Sequence, residues 1–164
     1  MMKKKILNLF KYIIAFILIF LVISWYRAPN IAKPVNLQFV SIEHHPVDLI
    51  KESQNKPVLV YFWGSWCHIC SLTSPAVEAL SQEGYSVVTI ALHSGNDEVV
   101  KKYLQNKNYH FETVNDQQGK IFSQWGGTVT PSFVIIKNGQ VKQSFSGIQA
   151  GWSLKLRMWL NQFL

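Results

Sequence analysis

The chain has 164 residues, room for one domain and an appendage, and carries a formal charge of +7. Lys3, Lys4, Lys5, Lys11 and Arg27 all precede the first acidic residue, which leaves residues 28–164 with eleven basic and nine acidic side chains. The basicity is therefore mostly terminal, and without any basic block interleaved with aromatics it excludes a nucleic-acid partner.

The first element in chain order is an apolar segment. Residues 6–26 hold a single charge, Lys11, and approach the roughly 20 residues that a helix needs to cross a bilayer. Lysines in front of it favour a cytoplasmic N-terminus and an exported remainder. The rival reading is a cleaved signal peptide. Trp25, Tyr26 and Arg27 crowd the end of the stretch, however, and no A-x-A site follows. Bulky aromatics suit a membrane interface better, so residues 1–27 are read as a cytoplasmic N-terminus and an uncleaved signal-anchor. Residues 28–35, with Pro29 and Pro34, form an extended tether, and residues 36–164 form the domain.

Within the domain the pattern predicts a strand over 37–42 and a short helix over 47–52. A buried strand follows over 58–63, rich in β-branched and aromatic residues. Leu72, Ala76, Val77 and Leu80 then recur at helical spacing, predicting a helix over 67–82 that ends near Gly84. A second apolar strand spans 86–92. Asn96 caps a helix over 97–106, with Asp97 and Glu98 in its first turn. A short strand over 111–114 and a helix over 119–125 come next. Strands over 132–137 and 140–146 flank Asn138-Gly139, a hairpin signal. The last segment, from Trp152, is helical, with Trp152, Leu156, Trp159, Leu160 and Phe163 on one face that packing on the sheet explains more simply than a membrane. Alternating strands and helices closed by a hairpin and a helix make an α/β fold: a mixed sheet flanked by helices.

The only two cysteines stand in Trp66-Cys67-His68-Ile69-Cys70, where a strand turns into a helix. Free backbone N–H groups and the positive end of the helix dipole aim at Cys67 there and favour its thiolate. A redox-active dithiol is the natural chemistry of such a pair.

Three segments in order resemble the thioredoxin-like superfamily, in particular its membrane-anchored, exported thiol:disulfide oxidoreductases. They are Phe62 through Cys70, Pro75 five residues beyond the second cysteine, and Gly127-Thr128-Val129-Thr130-Pro131-Ser132-Phe133 ahead of the final hairpin. Pro75-Ala76-Val77, the run from Gly84 to Leu92 and the run from Gly151 to Arg157 further resemble the D-protein family of the bacterial suppressor-of-copper-sensitivity system. The resemblance implies a thioredoxin-like fold, Cys67 as nucleophile and Cys70 as resolving thiol. It also implies a cis peptide bond before Pro131, with the backbone of Thr130 free to pair with an extended substrate, and Trp66 as a shield of the site. No organic cofactor or metal is implied beyond the redox-active pair. The partners implied are proteins with thiols or disulfides and a membrane electron-transfer protein that resets the pair. The place implied is the periplasmic side of a bacterial inner membrane, reached by a single pass through residues 6–26.

The departures carry information. The strand position where thioredoxins usually hold a buried aspartate counts to Tyr61, and the helix position where many exported relatives hold a glutamate is Thr73. Deprotonation of Cys70 then falls to water, to His68 or to no dedicated group. Strongly oxidising relatives place histidine immediately before the second cysteine, whereas His68 follows the first, where as a cation it would lower the Cys67 pKa. Alternative functions are a dedicated reductant in cytochrome c maturation, which Thr73 disfavours, and a Cu(I)-handling module using Cys67 and Cys70. His44 and His45, adjacent on a strand, point to opposite sides and do not share an ion. They and His93, His110, Asp116 and Gly119 are read as structural or surface residues, and Trp63 as packing.

Overall fold

A computed structural model describes residues 10–16, 18, 19, 22, 23 and 36–163. The described residues of the expected anchor are helical, and among the described residues no helix is long and apolar enough to cross a membrane. The remainder of 6–26, and the 28–35 tether, lie outside the described residues.

The domain runs β1 (Gln38–Val40), β2 (Pro46–Asp48), α1 (Leu49–Glu52), β3 (Val58–Trp63), α2 (His68–Gln82), β4 (Ser86–Leu92), α3 (Asp97–Lys107), β5 (Glu112–Asp116), α4 (Lys120–Gln124), β6 (Ser132–Lys137), β7 (Gln140–Ser146) and α5 (Gly151–Leu160). Five strands form one mixed sheet in the order β5-β4-β3-β6-β7. β3 pairs in parallel with β4 and antiparallel with β6. Being central, it is buried along its whole length, which is why its sequence is an unbroken apolar run rather than an alternation.

The pleat of β3 divides two cores. Leu59, Tyr61 and Trp63 face a cluster with Cys67, Cys70, Val77 and Leu80 of α2, Val100 and Leu104 of α3, and Leu154 and Met158 of α5. Val58, Val60 and Phe62 face the other cluster, with Leu49, Phe122 and Trp125. Parallel neighbours need a crossover, and α2 supplies the one between β3 and β4. That connection sets the cysteine pair at the carboxyl end of the central strand.

Five expectations are corrected. The strand over 37–42 is only Gln38–Val40, and the helix over 47–52 begins at Leu49, because Pro46–Asp48 pairs antiparallel with β1 and Asp48 caps the helix, accepting from the Lys51 N–H at 3.0 Å. The strand over 111–114 lies at 112–116, its register fixed by parallel pairing of Val88 to Leu92 with Glu112 to Asp116. Leu72, counted with the inner stripe of α2, points outward, and the buried stripe is instead Cys70, Thr73, Ser74, Val77, Glu78 and Leu80. Finally, the Trp152 and Trp159 face of α5 does not pack on the sheet. Leu154 and Met158 do so from the other side of the helix.

The sharp turns fall where the sequence allows them. Asn108 ends α3 in the left-handed conformation, and Asn138-Gly139 turns β6 into β7 with positive φ at both residues.

Candidate active site

The cysteine loop is tied to the end of β4. The Trp66 indole Nε1–H donates to the Leu92 carbonyl at 2.9 Å, and the Ser65 N–H donates to Ser94 Oγ at 2.9 Å. Gly64 makes room for this, since a Cβ there would lie 2.6 Å from the Trp66 ring and 3.1 Å from the Leu92 oxygen. Its carbonyl accepts from the Cys67 N–H at 3.0 Å. Trp66 stays 58% exposed despite its anchored nitrogen.

Cys67 is the N-cap of α2, in extended conformation, and its Sγ accepts from the Cys70 N–H at 3.2 Å. A sulfur thus occupies the place where a helix start usually receives an oxygen. Cys67 and Cys70 are joined in a disulfide with Cα atoms 5.2 Å apart. Cys67 is 8% exposed and Cys70 1%, so both are buried and Cys67 is the more accessible of the two residues. His68 and Ile69 between them are exposed.

The peptide bond between Thr130 and Pro131 is cis. Phe62 pairs with Ser132 in the antiparallel ladder, which sets Pro131 opposite the last residue of β3, at the end from which the cysteine loop departs. Pro131 is buried, its carbonyl accepting from the Gly147 N–H at 2.9 Å, while Thr130 is half-buried. The structure therefore brings Trp66, Cys67, His68, Cys70, Thr130 and Pro131 to one end of the sheet.

Beneath Cys70 lies a group that the sequence reading missed. Tyr61 Oη is 3.0 Å from Ser74 Oγ and donates to the Cys70 carbonyl at 3.4 Å, and Ser74 Oγ donates to the same carbonyl at 2.9 Å. Where a carboxylate was expected to be missing, two neutral hydroxyls hold the backbone of the buried cysteine. The available signal was a serine four residues after Cys70, at the spacing for back-bonding to a helix carbonyl. Thr73 Oγ1 is buried without a hydrogen-bond partner. Phe133 stacks on Tyr61 at 4.9 Å and on Phe145 at 5.0 Å, a slab that fixes the phenol below the site.

Burial pushes the Tyr61 phenol well above its usual value of 10.0. It is a neutral hydrogen-bond donor at any physiological pH and not a base. The consequence for stability has a definite sign. Above pH 10 the unfolded chain loses this proton while the folded chain keeps it, so stability is full below that pH and falls as pH rises. Urea midpoints taken through the alkaline range should show that decline. Tyr61→Phe should flatten it by up to about 1.4 kcal/mol per pH unit, the value of one proton.

The other histidines make separate contacts. His45 pairs with Glu112 at 3.7 Å, and His93 Nδ1 lies 3.1 Å from the Gln117 carbonyl oxygen. His110 Nδ1 is 3.1 Å from Glu78 Oε1, whose partner oxygen also accepts the N–H groups of His110 and Phe111 and ties α2 to the start of β5. Asp116 is likewise structural, accepting from the Phe122 N–H at 2.8 Å. Among the described residues no three His, Cys, Asp or Glu side chains converge as a metal site.

The redoxin family model matches residues 27–151. A thioredoxin-like protein of Haemophilus influenzae is 37% identical, the match covering 98% of this chain and 97% of the relative. The thiol-disulfide oxidoreductase ResA of Bacillus thuringiensis is 29% identical over 70% of this chain and 68% of its own. Among solved structures, StoA of Bacillus subtilis superposes with a TM-score of 0.66 at 20% identity, covering 76% of this chain and 97% of that one. That last likeness is one of fold.

Proposed function

Because this chain belongs to the redoxin family, we propose that it is a thiol:disulfide oxidoreductase, exchanging disulfides with protein cysteines through Cys67 and Cys70. The observation that carries this reading is the capping position of Cys67, whose sulfur accepts the Cys70 N–H at 3.2 Å. A donor aimed at that atom, at the positive end of a 15-residue helix, stabilises a thiolate once the disulfide is opened. In the reducing direction the Cys67 thiolate attacks one sulfur of a substrate disulfide and expels the other as thiolate. Cys70, as thiolate, then attacks Cys67 Sγ, closing the Cys67–Cys70 disulfide and releasing the second substrate thiolate. Two electrons pass to the substrate, and a donor must return two to the pair. Run backward, the same steps oxidise a substrate dithiol.

Supporting roles fall to the neighbours. Trp66, Ile69 and Leu72 are exposed apolar side chains around the pair and suit contact with a partner chain. The half-buried backbone at Thr130, held by Pro131, suits an extended substrate segment. His68 is the candidate cation beside Cys67. Residues 6–26 are read as an uncleaved anchor in a bacterial inner membrane, with the domain on the periplasmic side and a membrane electron-transfer protein resetting the pair. The likeness to the D proteins of the suppressor-of-copper-sensitivity system belongs to the same reading.

A Cu(I)-handling role for Cys67 and Cys70 is the alternative, since soft sulfur ligands suit that ion. The hydroxyls of Tyr61 and Ser74 bond to the Cys70 carbonyl and add no ligand to a metal site. One comparison on the full-length chain in detergent decides. Reversible equilibration with glutathione and metal-free turnover of a protein disulfide is the expected outcome. Tight Cu(I) binding by the reduced chain without measurable exchange would overturn the enzyme reading. Reduction of a CxxCH apocytochrome peptide in the same assay, far faster than that of unrelated disulfides, would favour a dedicated role in cytochrome c maturation.

A further inference from the structure

The Tyr61 hydroxyl is a polar group in a place where packing alone asks for none. Tyr61 is fully buried in the cluster that holds both cysteines. A phenylalanine would fill the same space without taking a hydroxyl out of water. Among the described residues the hydroxyl has two hydrogen-bond partners, Ser74 Oγ at 3.0 Å and the Cys70 carbonyl at 3.4 Å, and both belong to the cysteine-bearing end of α2. We propose that Tyr61 is a positioning residue for disulfide exchange: through Cys70 it holds in place the N–H that stabilises the Cys67 thiolate. The inference rests on the oxidoreductase reading of the pair.

The first turn of α2 needs such a hold. Pro75 lies inside the helix and has no N–H, so the Ser71 carbonyl lacks the donor that a continuous helix supplies four residues on. The bond that opens the ladder, from the Ser71 N–H to the Cys67 carbonyl, is long at 3.3 Å. The turn is therefore weakly tied to the rest of its own helix. At the Cys70 carbonyl two hydroxyls take over, Ser74 Oγ at 2.9 Å from within the helix and Tyr61 Oη from β3. β3 is buried along its whole length at the centre of the sheet, and the Tyr61 ring lies within 8° of parallel on Phe133. The clamp thus joins the central strand to the residue whose own N–H meets Cys67 Sγ at 3.2 Å.

Two hydroxyl protons serve three contacts in the clamp. Ser74 gives its proton to the carbonyl, and Tyr61 gives its own to Ser74 or to the carbonyl, so Tyr61 is a donor in either arrangement. Burial keeps that phenol protonated throughout the range in which a thiol at a helix start titrates. Hydrogen bonds weaken steeply as they lose alignment, and those to a charged acceptor have the most to lose. Releasing the turn leaves the Cys67 thiolate less stabilised and its thiol harder to ionise.

The test titrates Cys67 alone, by thiolate absorbance, in full-length Cys70→Ser chains in detergent. Adding Tyr61→Phe, which keeps the aromatic stack, should raise the Cys67 pKa and leave roughly three- to tenfold less thiolate at any pH below it. Ser74→Ala should act in the same direction, and the two together less than additively, since one donor works partly through the other. Thr113→Val is the control. It removes a buried hydroxyl bonded to Thr89 and to the Phe111 carbonyl, two strands away from Tyr61, and should lower the urea midpoint without moving the pKa. With both cysteines present, Tyr61→Phe should shift the glutathione equilibrium toward the disulfide by the same factor above the Cys67 pKa. Below that pKa it should match wild type, because only the thiolate loses its support. An unchanged pKa in a Tyr61→Phe chain that still exchanges with glutathione would overturn the clamp and leave the oxidoreductase reading standing. A comparable pKa shift from Thr113→Val would reduce the effect to general loosening and overturn the clamp as well. A wild-type chain that does not exchange would overturn both.

Discussion

Replacing Cys70 by serine should abolish catalytic turnover and leave the chain covalently held to its substrates through Cys67. The expectation follows from position. Cys67 sits at the lip of the site, between exposed Trp66 and His68, and its sulfur faces the helix N-terminus. Cys70, one turn further on and 1% exposed, is bonded to the sulfur of Cys67. Serine at 70 preserves the N–H that Cys67 accepts but removes the thiolate that resolves the mixed disulfide, so the first step proceeds and the second does not. Non-reducing electrophoresis of cells expressing the variant should show slow-migrating species that collapse on reduction. Cys67→Ser should show few. Trapping chiefly in the Cys67→Ser chain would reverse the order of attack and defeat the mechanism.

The largest loss of stability should come from Phe62→Ala. Phe62 is fully buried on the central strand, with ring centroids 5.3 Å from Phe122 and 5.5 Å from Trp125. Its removal leaves a cavity between the sheet and α4 that the surrounding rings fill only in part. Such truncations cost about 3–5 kcal/mol, a large share of the roughly 5–15 kcal/mol that holds a domain folded. A urea midpoint lowered with an unchanged slope is the expected signature. Phe62 faces the core opposite the cysteines, so the folded fraction should keep its exchange rate with glutathione. Leu72→Ala, at a residue 59% exposed, should change stability by less than about 0.5 kcal/mol. A comparable loss from both would mean that the Phe62 cluster is not the main core.

Local chemistry made much of this legible from the chain alone. The run from Val58 to Trp63 has no polar break because a central strand is covered on both faces, and its limits match β3. Asn96 does cap α3, accepting from the Val99 N–H at 3.0 Å, and Asn138-Gly139 does turn the final hairpin. The cysteine pair was legible for the same reason: two thiols three positions apart after such a strand are placed by local geometry at a helix start.

Errors gathered where a residue's environment is set by distant segments. Whether Pro46–Asp48 is strand or helix depended on β1 being there to pair with it, and the register of β5 depended on β4. Periodicity showed that α5 is apolar but could not say which apolar side meets the sheet, because both sides have the same spacing and only Phe145 and its neighbours decide. The hydroxyls of Tyr61 and Ser74 meet at the Cys70 carbonyl across 13 positions of chain, a distance no local rule spans. The sequence by itself determined the thiol chemistry, the strand–helix junction that tunes it and the alternation that builds a mixed sheet, since each rests on neighbours along the chain. Tertiary structure alone decided what surrounds the buried sulfur and which face of the last helix stays open, since both are set by which segments the sheet brings together.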